Sequence, residues 1–279
     1  MNVPAPKIRR SEVLTAILAG LACFLVIDQL RLFGSPLLSV VIRLETQYYF
    51  ALIALLLPGV FLIYRSRWPA LDAVLGLGAF LAPLWLLRHA EPIANEGWEF
   101  LAPDHAIVAS SVVWLLVLEA VRRVTGWVLF GIALVFSMYP LFADLMPLMI
   151  SGMAIGFRET ASYHAMSIES IVGLPFRAFA NLVVGFLVFG ATLQHTGGGA
   201  FFIRLAFALL GGVRGGAAKV AIVSSGLMGS MSGSVITNVM TTGQLTIPAM
   251  RRQGFSAKSA AAVEACASTG GVLLPPIMG

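Results

Sequence analysis

The sequence has few charged residues, few cysteines and no spacing typical of a metal site. Only 11% of its 279 residues are Asp, Glu, Lys or Arg, whereas soluble domains average about 25%. This scarcity excludes a soluble enzyme, a disordered chain and a nucleic-acid-binding module. Both cysteines lie in apolar segments and imply no disulfide framework. The four histidines lack metal-ligand spacing, so we expect neither a transition metal nor an organic cofactor.

Hydrophobic residues make up 58% of the chain, and the mean hydropathy is +0.90. A helix that crosses a bilayer needs about 20 apolar residues, and several runs come close. We therefore predict an all-α polytopic integral membrane protein with about seven spanning helices, embedded in the lipid bilayer. The six clearest runs are residues 13–30, 48–64, 70–87, 106–120, 125–143 and 175–194.

The basic residues lie at the ends of the apolar runs, where they set topology. Placing the N-terminus in the cytoplasm puts seven lysines and arginines of the first half inside and three outside. The predicted orientation is therefore N-terminus in. We attribute the net charge of +5 to this topology rather than to nucleic acid.

Small residues interrupt the apolar run that follows Lys219. Gly229, Ser230 and Gly233 cluster in its middle, and a basic pair at 251–252 closes it. A single straight span would place that pair outside. The charges therefore favour a re-entrant helical hairpin over about 217–250, with this cluster at its tip. The alternative for each glycine is helix packing through a Gly-x-x-x-Gly motif.

The next run, about 257–279, contains paired glycines at 270–271 and paired prolines at 275–276. Proline disrupts the preceding helical turn, so we predict a broken helix that unwinds over 267–276. Two interrupted helices in succession are typical of the midplane site of secondary transporters.

Two polar residues in this region are candidates for ion chemistry. Asn238 is an amide in an apolar run, either a ligand or an interhelical hydrogen-bonding group. Glu264 is a candidate ion-coupling group, because an ionisable residue at membrane depth usually marks function. The alternative places it near the interface, paired with Lys258.

Residues 232–243 and 267–279 resemble the large permease subunit of tripartite ATP-independent periplasmic (TRAP) transporters, as do the shorter stretches 173–176 and 195–199. The five preceding helices resemble a small permease with a connecting helix. That fused arrangement is typical of the TAXI branch. The resemblance divides the chain into a small-permease-like bundle, 1–145, and the first half of a large permease, 146–279.

The resemblance implies an elevator-type secondary transporter, not an enzyme. It would import a small carboxylate (a dicarboxylate, glutamate or 2-oxoglutarate) with a sodium gradient, occasionally a proton gradient. A periplasmic TAXI-type solute-binding protein would deliver the substrate. The alternatives are an accessory scaffold subunit and, less favoured, a membrane-embedded lipid enzyme.

The resemblance also implies one sodium site in this chain. Its permeases have two inverted halves, of which this sequence has one. We therefore expect an N-terminal portion of a longer protein, with the second sodium site and the main substrate contacts elsewhere. The implied ligands are the side-chain oxygens of Ser234 and Asn238 and the carbonyls of Gly270, Val272 and Pro275, with Ser232 a weaker candidate.

Overall fold

A computed structural model describes residues 10–30, 37–40, 42–147 and 149–274, and every regular element in these ranges is helical. The prediction of an all-α protein is confirmed. The α-helices are α1 (Arg10–Gln29), α2 (Glu45–Ile63), α3 (Pro69–Arg88), α4 (Ala90–Asn95), α5 (Asp104–Thr125), α6 (Trp127–Met138), α7 (Phe157–Met166), α8 (Leu174–Ala178), α9 (Val184–His195), α10 (Gly198–Leu210), α11 (Gly216–Ser232), α12 (Val235–Arg252) and α13 (Ala257–Gly271).

Four helical segments in the described part of the chain are long and apolar enough to cross a membrane. Two further helices, Trp127–Leu141 and Gly198–Leu210, are apolar but shorter. The polytopic character is therefore confirmed, and the total of about seven spans stays a prediction. The four segments are Ser11–Gln29, Glu45–Ile63, Pro69–Arg88 and Leu174–Leu193.

The chain forms two compact units, Met1–Asn181 and Leu182–Gly279. In the first unit, α2, α3 and α5 pack around a cluster that includes Phe61, Ala79 and Leu116. The division between these compact units, at 181/182, differs from the boundary predicted between a small and a large permease, at 145/146. That boundary stays a prediction.

An ion-pair network joins α3 to α5 in the first unit. Arg123 lies 2.7 Å from the Asp72 carboxylate and 2.8 Å from that of Glu119. Asp72 also accepts a hydrogen bond from the Ser66 backbone N–H at 2.8 Å. The Arg123 and Asp72 side chains are only 5% and 7% exposed, so the arginine neutralises a buried carboxylate.

His164 attaches α7 to its neighbours. Its Nε2 lies 2.7 Å from the Ser137 carbonyl oxygen, and its Nδ1 lies 2.6 Å from the Ser170 hydroxyl. A carbonyl can only accept, so Nε2 carries the proton and Nδ1 of the neutral ring accepts from Ser170. The ring also packs against Trp114 of α5, with centroids 4.9 Å apart.

Two tyrosines of α2 hold the span Leu174–Leu193, which contains a π-helical turn at Phe179–Val183. Such a turn changes the backbone hydrogen-bonding pattern of the helix. The Tyr48 hydroxyl donates to the Ala180 carbonyl at 2.7 Å, and the Asn181 amide donates to the Tyr49 hydroxyl at 3.0 Å. These bonds anchor the start of the span to α2.

The second unit is built around three mutually packed helices, α11, α12 and α13, with α9 and α10 against α11. Its apolar core includes Ala217, Met250 and Ala260, one from each of the three helices. Small side chains at these positions bring the helices close together, which shapes the site described next.

Candidate functional site

Helices α11 and α12 form an antiparallel hairpin. Near its open end the Ala217 N–H donates to the Gln253 side chain at 3.0 Å, and nearer the turn Asn238 Nδ2 donates to the Ser225 carbonyl at 2.8 Å. The helices are joined by Gly233 and Ser234 alone. The structure thus has a helical hairpin in the predicted stretch, and its re-entry into a membrane stays a prediction.

The turn lies later than the sequence suggests. Gly229 and Ser230, which the sequence analysis places at the tip, belong to the last turns of α11. Ser232 is the last residue of that helix. Gly233 adopts a left-handed conformation with φ of 60°, which glycine tolerates best. Ser234 caps α12 by accepting from the Thr237 backbone N–H at 3.4 Å.

Gly229 serves helix packing instead of the turn. A Cβ atom at this position would lie 2.5 Å from the carbonyl carbon of Gly271 in α13. A Cβ atom at Gly271 would in turn collide with the Ser225 carbonyl oxygen. The backbones of α11 and α13 therefore touch here, as small residues allow in membrane helix pairs.

The prediction that α13 unwinds from residue 267 is wrong as far as the described residues reach. The helix continues to Gly271, and residues 272–274 form turns. A proline removes its own N–H and clashes with the carbonyl four residues earlier. For Pro275 that carbonyl belongs to Gly271, so the preceding turns remain helical. Pro275 itself lies outside the described residues.

Asn238 is fully buried between α11 and α13. Its Nδ2 donates to the Ser225 carbonyl and would lie 3.1 Å from a Cβ atom at Gly271. Its Oδ1 is buried and has no hydrogen-bond partner among the residues that the structure describes. Turning the amide around would point Oδ1 at the Ser225 carbonyl, so the unpartnered oxygen is a consequence of the packing. A buried acceptor without a donor costs free energy unless it binds something.

Most of the predicted sodium ligands lie at this end of the bundle. Ser234 is one helical turn from Asn238, whose backbone N–H donates to the Ser234 carbonyl at 3.0 Å. Gly270 and Val272 flank Gly271, the glycine that Asn238 contacts. The Gly270 carbonyl also accepts from the Leu273 N–H at 3.2 Å. We name Ser234, Asn238, Gly270 and Val272 the candidate sodium site.

Ser232, the weaker candidate, lies on the other side of the turn. Its hydroxyl is 3.5 Å from the Ser234 N–H and accepts from it. That bond supports the two-residue turn, which is a structural role for this side chain. Ser232 therefore stays a weaker candidate than Ser234.

Glu264 lies in a different layer of the bundle from the candidate sodium site. It precedes Gly270 by six residues, which is about 9 Å along the axis of α13. It is fully buried, whereas Lys258 is exposed. The alternative that pairs Glu264 with Lys258 near the interface is therefore wrong. Hydroxyl groups from all three helices surround the carboxylate instead. They belong to Ser225 of α11, Thr242 and Thr246 of α12, and Ser268 of α13.

None of these four hydroxyl residues was predicted from the sequence. A spacing of four residues could have revealed three of them, because residues four apart share a helix face. Asn238, Thr242 and Thr246 follow one another at that spacing on α12, and Ser268 follows Glu264 on α13. Only the fold brings Ser225 into the group. We name these four hydroxyls and the carboxylate the Glu264 cluster.

Comparison with known proteins points to one family. The family described as "Tripartite ATP-independent periplasmic transporter, DctM component" matches residues 112–279. A C4-dicarboxylate TRAP transporter large permease protein, DctM of Vibrio cholerae, is 36% identical over 115 residues, which is 39% of this chain and 25% of that protein. The sialic acid TRAP transporter permease protein SiaT of Haemophilus influenzae is 29% identical over 198 residues, 65% of this chain and 32% of that protein.

The isethionate TRAP transporter permease protein DctMQ of Oleidesulfovibrio alaskensis is 32% identical over 100 residues, 36% of this chain and 16% of that protein. The chain thus spans a third or less of the length of these relatives. No solved structure gives a significant match. The family match covers more than half of the chain. This chain therefore belongs to the DctM family of TRAP transporter permeases, which are multi-pass inner-membrane transport proteins rather than enzymes.

Proposed function

We propose that this chain is part of a permease that imports a small carboxylate with a sodium gradient. Two of its relatives are named for a C4-dicarboxylate and for sialic acid, and both substrates carry carboxylates at neutral pH. The resemblance to the TAXI branch points to a dicarboxylate, glutamate or 2-oxoglutarate. It also suggests a periplasmic TAXI-type binding protein as the partner that delivers the substrate.

The observation that carries the sodium assignment is the orphaned Oδ1 of Asn238. Hard cations prefer oxygen ligands, and the buried Asn238 side chain lies beside Gly271, the last residue of α13. Interrupted helices hold sodium in this way in other secondary transporters. Asn238, Ser234 and the carbonyls of Gly270 and Val272 would hold the ion, whose movement down its gradient would supply the driving force.

Charge placement supports the proposed topology of the hairpin. Lys219 begins α11, Arg251 and Arg252 end α12, and Lys258 begins α13. Because the three helices alternate in direction, these cations lie at one end of the bundle, and all four are exposed. The positive-inside rule places that end in the cytoplasm, consistent with a cytoplasmic N-terminus and a hairpin that enters and leaves on the same side.

The test is uptake by the full-length protein in proteoliposomes with its purified binding protein. Radiolabelled succinate, glutamate and 2-oxoglutarate are offered with and without an inward sodium gradient. We expect uptake of at least one of them only with sodium. Asn238→Ala should raise the sodium concentration needed for half-maximal uptake by tenfold or more. The variant removes a polar partner of the bound cation, and losing a polar partner of a charged group costs about 1.5–3 kcal/mol.

Gln244→Ala is the matched control, since Gln244 is an exposed amide on the same helix. It should leave the sodium dependence unchanged. Uptake by the unmodified protein that does not depend on sodium would contradict sodium coupling. An unchanged sodium dependence in Asn238→Ala would contradict this site. Absence of uptake under every gradient would favour the scaffold alternative.

A further inference from the structure

The Glu264 cluster is a second polar centre that the sodium site does not use. The Glu264 side chain has no exposed surface and bonds to hydroxyl groups of α11, of α12 and of its own helix, α13. Its Oε1 accepts from the hydroxyls of Ser225 at 3.1 Å and Ser268 at 3.2 Å, and also from Thr242. Its Oε2 accepts from Thr246. A buried carboxylate is expensive unless a cation or a proton compensates it.

No cationic side chain provides that compensation within the described residues. The charged and titratable groups on the three helices are Glu264 itself, Cys266 and the cations Lys219, Arg251, Arg252 and Lys258, all of which except Glu264 are exposed. Each cation is at least five residues along its helix from the nearest member of the cluster, about 7 Å or more. The groups that face the carboxylate are hydroxyls alone.

The Glu264 cluster is tightly packed. Its oxygens lie at hydrogen-bonding separations from one another. A Cβ atom at Gly243 would already lie 3.3 Å from Cγ of Glu264. A proton on the carboxylate needs no added volume in this packing.

The two threonines allow the cluster to accept either protonation state. Besides the carboxylate, the Thr242 hydroxyl lies 2.8 Å from the Asn238 carbonyl, and the Thr246 hydroxyl lies 3.0 Å from the Thr242 carbonyl. When Glu264 is ionised, both hydroxyls donate to it. When it is protonated, its O–H donates to Thr246, whose hydroxyl rotates to donate to the Thr242 carbonyl. No buried hydrogen-bonding group loses its partner in either state.

We propose that Glu264 binds and releases a proton during the transport cycle. The proton comes from bulk water when the cluster is opened to one side, joins a carboxylate oxygen, and returns to water on the other side. This rests on the proposed function as a permease. It adds a second coupled cation at a site separate from the candidate sodium site.

The first experiment measures proton movement in proteoliposomes of the full-length protein with its binding protein and a trapped pH-sensitive dye. Adding the substrate should acidify the interior, and Glu264→Gln should abolish that signal. Glu169→Gln is the matched control, because Glu169 is exposed and far along the chain, and it should retain the signal. Uptake without acidification in the unmodified protein would overturn the proton proposal and leave the permease proposal standing.

The second experiment needs no transport activity and so separates the two proposals. Infrared difference spectra of the purified full-length protein between high and low pH report the carbonyl stretch of protonated carboxyl groups. We expect a band that is lost in Glu264→Gln and kept in Glu169→Gln, and that shifts in Thr246→Val. A spectrum unchanged by Glu264→Gln would overturn the proposal, whatever the uptake assay shows.

Discussion

Asp72 in the first compact unit and Glu264 in the second are both buried carboxylates, with 5% and 0% of their surface exposed. Their surroundings differ. Asp72 is held by the Arg123 guanidinium, whereas Glu264 is held by four hydroxyls. An arginine fixes one charge state permanently, while rotatable hydroxyls serve two states. The first unit therefore uses its carboxylate for structure, and we infer that the second uses its carboxylate for coupling.

Among the variants proposed, removing the arginine that pairs with Asp72 should have the largest effect on stability. Arg123→Leu leaves Asp72 buried without its cationic partner, although Ser66 still donates to it, and losing one partner of a buried pair costs about 3–5 kcal/mol. We expect a large fall in the thermal unfolding midpoint of the full-length protein in detergent.

Arg122→Leu is the control for that variant. The Arg122 pair with Glu119 is partly exposed, with 28% and 25% of the two side chains accessible, and such pairs contribute about 0–1 kcal/mol. Equal shifts in the midpoint for the two variants would contradict the structural role assigned to Asp72 and Arg123.

The second prediction concerns the close packing of α11 against α13 beside Asn238. Gly229→Ala introduces a methyl group against the backbone of Gly271, and overpacking of this kind costs about 1–3 kcal/mol. Gly131→Ala in α6, where the added Cβ has open space, should instead stabilise by about 0.5–1 kcal/mol. Thermal unfolding of both variants checks the signs. A neutral Gly229→Ala would mean that α11 and α13 do not touch there.

The smallest expected effect concerns His164, a buried titratable group in the first unit. Burial lowers the pKa of His164, opposed by its bond to the Ser137 carbonyl, and α7 is not among the four candidate spans. The folded state therefore resists protonation of this ring. Its contribution to stability is complete above the unfolded pKa of about 6.5 and is lost as pH falls through the lowered folded value.

His164→Gln should remove that part of the pH dependence, measured as the unfolding midpoint across a pH series. His195→Gln, at an exposed histidine, should leave the pH dependence as it is in the unmodified protein. A pH dependence that persists unchanged in His164→Gln would assign the effect to another group.

Helix positions followed from the sequence because apolar runs and flanking charges are local signals. The run 13–30 corresponds to α1, Arg10–Gln29, and the helix break at Gly126, which has φ of 87°, falls at the start of the run 125–143. The hairpin was harder to place, because glycine serves both turns and close packing. Gly229 and Gly233 look alike in the sequence, and only Gly233 has the positive φ that marks the turn.

The site residues depended on the fold. Asn238 and Glu264 stood out as polar residues in apolar runs, but their partners come from other helices. Ser225, which bonds to both through its carbonyl and its hydroxyl, gives no local signal, since serine is common in membrane helices. The effect of the paired prolines on the preceding helix was overestimated, because α13 remains helical to Gly271.

The most direct test of the account measures initial uptake in proteoliposomes of the full-length protein over a grid of sodium concentration and pH, for Asn238→Ala and Glu264→Gln. We expect that Asn238→Ala shifts the sodium dependence of uptake and keeps its pH dependence. Glu264→Gln should remove the pH dependence and keep a sodium dependence. If both variants lost both the sodium dependence and the pH dependence, the two residues would belong to a single shared site. That result would contradict separate sodium and proton sites.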